Sequence, residues 1–574
     1  MNLTIDVAAS TQSYFGNAIP IVSSISIGPL VDTDFGATLR SQTTSGGLAR
    51  NLTFSSSTGN ASLTTDIGSS GNVTFGVASG HAAGGGAIVL TSNLTITHNG
   101  TGELLFNRPL EGAGSLTKTG NGTFRYAPTV TPSSYNGTIN LNQGRAIFAA
   151  VNGASDDFGA TALFNLGGGT MEIRTTTALN KSMSTNMTVS AASTFAYNNI
   201  AATDQSLTIG TGTMVLNGNL TVQNISTSVA GNNIINITRN MTGSGNLIVA
   251  TYNNVASGAV AFSNGRVQFS GDNTAWTGNL VVARGTAQFS GTKSFVPAAG
   301  SITLGTTGNA TGAGLGFNQA ATDANLANAI TVTTGGVRLI RNNAGPGSSN
   351  NITVSGPVTL NGDLTLDHAG LGASQSITIS GNVTGGGGLN VTYVGPHQLA
   401  GSSVRLTGTN TYTGATNVGS NATLDLEGSL TSNIAVAANA NIGGDGSTTG
   451  SLNLASGARF VFSTTATLDV MGATTFDNSF NLASLVSASG GDVAWSSVSL
   501  GTYNLIGVTG SSLSNIGNFG FDNRAAIGDK VGYFQGATGL QLVVIPEAST
   551  WAIVGIGLFG MVVFHRLRRR SRGA

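Results

Sequence analysis

Three short motifs recur along this chain in a fixed order, and that recurrence limits the fold more than any other feature. The first is Leu-x-x-Asn/Asp-Leu-Thr, at Leu90 to Thr95, Leu216 to Thr221 and Leu360 to Thr365. The second is Gly-x-Gly-x-Leu, at Gly112 to Leu116, Gly243 to Leu247 and Gly385 to Leu389. The third is aromatic-x-Gly, at Tyr135 to Gly137, Trp276 to Gly278 and Tyr412 to Gly414. Copies lie about 140 residues apart, too long for one supersecondary element, so each contains several shorter units. Fixed-period self-similarity is the mark of a stacked array rather than of a single globular core.

Composition decides what kind of array. Only 8% of the residues are charged, against about 25% in an ordinary soluble domain. Gly accounts for 84 of 574 residues. Disordered chains lack β-branched residues and carry net charge. Here Val, Ile and Thr alternate with polar residues and the net charge is zero. Strands recur every ~8–12 residues between glycine turns, as in Ala287-Gln288-Phe289 and Ser376 to Ile379. The expected fold is all-β, a parallel solenoid with coils of about 22 residues stacked ~4.8 Å apart.

A glycine follows the aromatic motif at Gly144 and Gly285, and Asn421 holds the same place in the third copy. Asn is the commonest non-Gly residue in the left-handed region, so the same turn is expected there. The alternation after it slips by one residue, which predicts a bulge. Gly137, Gly144, Gly278, Gly285, Gly414 and Asn421 are thus the expected repeat turns. Runs such as Gly84 to Gly86 and Gly385 to Gly388 lack the Lys-Ser/Thr of a phosphate loop and read as turns.

Gly112-Ala113-Gly114-Ser115-Leu116-Thr117 with Tyr135-Asn136-Gly137-Thr138, and Leu406 to Thr416 more closely still, resemble the autotransporter-associated β-strand repeat. The resemblance covers roughly residues 75–460 and implies a right-handed parallel β-helix of bacterial surface proteins. Residues 1–74 are expected to add rungs. Residues 461–540 are richer in aromatics, and Gly501 to Ile506 and Leu540 to Val544 read as strands of a cap, followed by a short linker. A solenoid end is an open edge that needs covering. The start, Met1 to Val7, has neither a basic n-region nor an apolar h-region, so a start upstream is expected.

The C-terminal stretch, 545–572, differs in kind. Pro546-Glu547 precedes an uncharged apolar segment, 548–564, which is expected to form a hydrophobic helix at the short end of what spans a bilayer. Arg566, Arg568, Arg569, Arg570 and Arg572 follow, a membrane stop that predicts the body outside. Trp551 stands at the interfacial position. The order of box, apolar segment and arginines resembles the PEP-CTERM sorting signal, which implies recognition by an exosortase-type membrane processing enzyme in bacteria that build exopolysaccharide. Where the usual box has a second proline, this chain has Ala548. Processing and permanent single-pass anchoring both remain open.

Chemistry is sparse. Without cysteine, disulfides, thiol nucleophiles and thiolate metal sites are excluded. No basic stripe points to nucleic acid. His81, His98, His368, His397 and His565 are scattered and read as solvated turn residues. Asp156-Asp157 reads as a turn, and Asp363 with Asp367 as a solvated face. The Asn-x-Ser/Thr triplets at Asn51, Asn72, Asn93, Asn219, Asn236, Asn351 and Asn382 read as compositional. The expectation is therefore a non-enzymatic, adhesin-like surface or matrix scaffold with no cofactor, with exopolysaccharide as a candidate partner. A surface-anchored β-helical polysaccharide-degrading enzyme is the alternative, and it requires Asp, Arg or Lys to converge on one face. A self-translocating autotransporter would need a C-terminal barrel of amphipathic strands, which is not what the arginine-rich end offers.

Overall fold

In the computed structural model the described residues comprise strands within 2–41 and most of 51–547. Residues 548–574 and several inter-strand segments, among them 76–86, 151–162, 252–264, 291–299 and 394–401, lie outside them. The chain is all-β, with parallel strands in stacked sheets, the pattern of a parallel β-helix or solenoid. It divides into two compact units, Met1–Asn318 with Asn328–Leu339, and Gln319–Ala327 with Ile340–Ala574.

In the first unit each strand pairs in parallel with the strand one coil on. Ala61–Thr65, Leu94–His98, Leu116–Thr119, Thr138–Leu141, Leu163–Leu166 and Asn186–Val189 follow one another across one sheet. Because side chains alternate faces, in-register pairing stacks like on like. Ala61, Leu94, Leu116, Ile139, Phe164 and Met187 form a continuous inward column, all essentially inaccessible. A second sheet stacks Phe75, Phe106, Tyr126 and Phe148 in register. Phe106 packs edge-on against Phe75 and Phe124 at 5.3 and 5.0 Å between centroids. Each buried aliphatic or aromatic side chain contributes about 1.5–3 kcal/mol, so the core is a sum of repeated local layers.

The motifs explain one another in three dimensions. Their three parts occupy successive coils at a single corner. A Cβ on Gly112 would lie 2.4 Å from the Leu90 carbonyl oxygen, and one on Gly137 would lie 2.3 Å from that of Gly114. Backbones therefore touch at this corner, and only glycine fits. Tyr135 bridges in parallel to Gly112, and Trp276 to Gly243. The turn residues Gly144, Gly285 and Asn421 have φ of 70°, 79° and 63°. At Asn421 the one-residue slip is taken up by a tight turn from Ala422 N–H to Gly419 O at 3.0 Å. The register shift falls in the second copy, between Val249 and Ala250 opposite the strand Leu280–Ser290.

The second unit has tighter coils. Thr416–Val418, Thr423–Leu426 and Ser429–Leu430 make one three-sided turn, and Ile434–Val436, Asn441–Gly443 and Ser447–Thr448 make the next. Leu424, Ile442 and Phe460 stack in register through it. Parallel pairing continues past 460, through Arg459–Val461 to Leu485–Val486. The end is then covered by an antiparallel meander of Gly501–Val508, Gly539–Pro546, Lys530–Gln535 and Ala525–Ile527. Instead of the expected linker before Pro546, the cap strand itself runs to that residue, which pairs with Lys530. No helix among the described residues is long and apolar enough to cross a membrane. The expected helix at 548–564 and Arg566, Arg568, Arg569, Arg570 and Arg572 lie outside them.

Candidate functional site

Charged side chains are rare enough that their positions can be traced one by one. In the second unit, Ser403–Leu406, Thr423–Leu426, Asn441–Gly443, Arg459–Val461 and Leu485–Val486 form one parallel sheet. Val404 stacks with Leu424 in the inward column, which leaves Arg405 and Asp425 paired on the outer face. Asp425 is followed in register by Gly443. A Cβ on Gly443 would come within 2.6 Å of the Val461 Cβ, so this glycine keeps the outer face open between Asp425 and Val461.

The segment 487–498 rises beside that face and closes a groove of about 540 Å³. Asp425, Glu427 and Asp445 line it together with the apolar Val461, Phe462 and Val493. Phe462 is fixed from behind by Trp495 and Tyr503, at 5.7 and 5.5 Å between centroids. Arg405 binds Glu427 and lies 3.4 Å from Asp425. Its charged form is favoured chiefly by the hydrogen bond to Glu427. The Asp425 carboxyl is pushed up by burial first, then by repulsion from Glu427 and Asp445, against the attraction of Arg405. Beside Thr423, on the same face, the buried Asn441 donates from Nδ2 to Thr423 Oγ1 at 2.9 Å. Its Oδ1 has no donor. Among the described residues, no group of three or more His, Asp or Glu side chains is arranged to hold a metal ion.

The residues singled out in the sequence are used differently. Asp363 Oδ1 accepts the Gly388 N–H at 2.7 Å, a corner bond between coils. Asp367 is not on a solvated face, because it is buried and paired with Arg341 from the preceding coil. His98 and His368 are not solvated turn residues either. His98 is buried between Thr65 Oγ1 and Gly102 O, at 2.5 and 2.8 Å. His368 is buried against Tyr393 with its rings 5.2 Å apart, and burial pushes its pKa down to about 4. Asp156, Asp157, His81, His397 and His565 lie outside the described residues. Pro546 ends the cap strand half-buried and Glu547 is exposed just beyond it.

Six of the seven Asn-x-Ser/Thr triplets have a physical reason, whereas Asn236 lies inside the strand Ile234–Ile237. The side-chain oxygens of Asn51, Asn72, Asn93, Asn219, Asn351 and Asn382 each accept a backbone N–H from the next coil, at 2.7–3.1 Å. The Asn stands just before its strand, where the corner leaves an N–H that the ladder does not reach, so its side chain satisfies that amide. Reading these as compositional missed that role. A signal was present, since the following positions are regularly apolar-Thr. The groove carboxylates were missed because Asp425 and Glu427 belong to one coil and Asp445 to the next, so they form no local motif. No protein-family model, curated protein or solved structure matches this chain.

Proposed function

We propose that this chain is a non-enzymatic bacterial cell-surface or extracellular-matrix protein. A right-handed β-helical stalk is exported, held at the inner membrane by a hydrophobic helix over 548–564, and released at Pro546-Glu547 by an exosortase-type enzyme. The observation that carries the reading is the shared corner. All three parts of each motif copy meet in successive coils, as at Gly112, Gly114 and Gly137, so the residues behind the family resemblance have a common structural use. The exposure of Glu547, one residue past the cap strand, supports processing there, because cleavage at that point would spare the fold. Mass spectrometry of the mature C-terminus tests this. An end close to Glu547 supports sorting, retention through Ala574 supports a permanent anchor, and surface delivery unchanged by deletion of 546–574 refutes both.

A second reading, a surface-anchored polysaccharide-degrading enzyme, is favoured by one observation. Arg405, Asp425, Glu427 and Asp445 gather on one solenoid face, the convergence such chemistry needs. Release of new reducing or unsaturated ends from polysaccharides, abolished by Asp425→Asn and Glu427→Gln, would establish it.

A further inference from the structure

We propose that the groove beside Asp425 binds an amino-sugar saccharide, a hydroxylated ring ligand carrying a primary ammonium group. The inference does not depend on how the protein is delivered, nor on whether the groove performs any chemistry.

Charge gives the first reason. Asp425, Glu427 and Asp445 line the groove, and no lysine or arginine is among the described residues lining it. Arg405 stands at its edge, engaged by Asp425 and Glu427. The wall therefore keeps three carboxylates against one guanidinium, and repulsion from Glu427 and Asp445 adds to the effect of burial in raising the Asp425 pKa. An ammonium group would relieve that repulsion, whereas a uronate would add to it. A bare divalent cation is a poor alternative, because the carboxylates are not arranged as metal ligands.

Shape and polarity give the second. A sugar ring presents one CH-rich face and a rim of hydroxyls. Val461, Phe462 and Val493 supply an apolar wall, and Phe462 is locked between Trp495 and Tyr503, so the wall is formed before a ligand arrives. The hydroxyls of Thr423, Thr464 and Ser487 lie along the same groove. Its volume of about 540 Å³ is within the range of small-ligand sites.

The test is calorimetric titration of the full chain near pH 6, where a sugar amine is protonated. The ligands are glucosamine tetramer, N-acetylglucosamine tetramer, galacturonate tetramer and a tetralysine peptide. Binding of the glucosamine tetramer is expected, weakened about tenfold by acetylation and by Asp445→Asn, with no binding of the galacturonate. Asp445 is exposed, so that variant keeps the fold, and Phe462→Leu, which preserves most of the buried volume, is expected to weaken binding as well. The proposal is overturned by absence of saturable glucosamine-tetramer binding, by binding that ignores Asp445→Asn, or by equal affinity for tetralysine, which would make the occupant a cationic peptide.

Discussion

The Tyr135 hydroxyl donates to the carbonyl oxygen of Gly114, one coil away, at 2.9 Å. Burial pushes the Tyr135 pKa up, which keeps the hydroxyl protonated and donating at any physiological pH. In the second copy Trp276 Nε1 makes the equivalent bond to Gly245 O at 2.8 Å, so two different aromatics serve one carbonyl position. Tyr135→Phe should therefore cost about 1–3 kcal/mol by leaving a buried carbonyl short of a donor. Gly137→Ala should cost more, since its Cβ would meet Gly114 O at 2.3 Å. Chemical denaturation of the two variants checks both the sign and the order.

Corner asparagines should behave as a class. Asn93 accepts from Ser115 N–H at 2.9 Å, and Asn279 from Ser301 N–H at 2.8 Å. Replacing either by Ala frees one amide, at about 1 kcal/mol each. The sharper readout is local. Hydrogen exchange at Ser115 should accelerate in Asn93→Ala while amides several coils away stay unchanged, as expected where each coil touches only its neighbours. Uniform acceleration would contradict that.

What could be read from the sequence was local. The alternation in Leu94 to His98 and the left-handed turn at Asn421 depend on residues adjacent in the chain. Contacts between coils depend on coil length, and that length varies. Thr97 and Thr119 meet 22 residues apart, and Asn433 and Ser451 meet 18 apart. No single period could therefore pair Arg341 with Asp367 or Arg405 with Asp425. The same variation hid the groove, whose acids come from two coils and whose apolar wall comes from two others. His98 follows Leu94 and Ile96, and His368 follows Leu364 and Leu366, at the two-residue period of a strand. The alternation did place both on the inward face, and reading them as solvated turn residues overlooked it.

Lys118 sits in an inward column between Ile96 and Leu141 and gives a pH test. Its Nζ donates to the carbonyls of Thr119 and Gly120 at 2.7 and 2.6 Å, and burial pulls its pKa from 10.5 to about 8. Below pH 8 the folded and unfolded chains are both protonated, and the folded state carries the full cost of the buried charge. Between pH 8 and 10.5 the folded state loses its proton first, so that cost is progressively removed and stability rises with pH. The gain is bounded at about 3 kcal/mol, and the carbonyl bonds reduce it. Lys118→Met lacks the titrating group. The stability difference between wild type and this variant should shift in favour of wild type from about pH 8 to about pH 10, and a flat difference would rule the assignment out.

Two ion pairs on neighbouring parts of the second unit should respond in opposite ways to the same kind of change. Asp367 is 1% exposed, and Arg341 binds it with Nε at 2.7 Å. Removing the cation in Arg341→Met takes the ion pair from a buried carboxylate, at about 3–5 kcal/mol. Arg405 is 44% exposed, and its partners Asp425 and Glu427 are 33% and 28% exposed. Water already screens that pair, so Arg405→Met should cost under about 1 kcal/mol. Added salt should weaken the Arg405 contribution and leave that of Arg341 nearly untouched. Melting both variants at low and high salt separates the cases, and equal costs would mean that burial is not what distinguishes them.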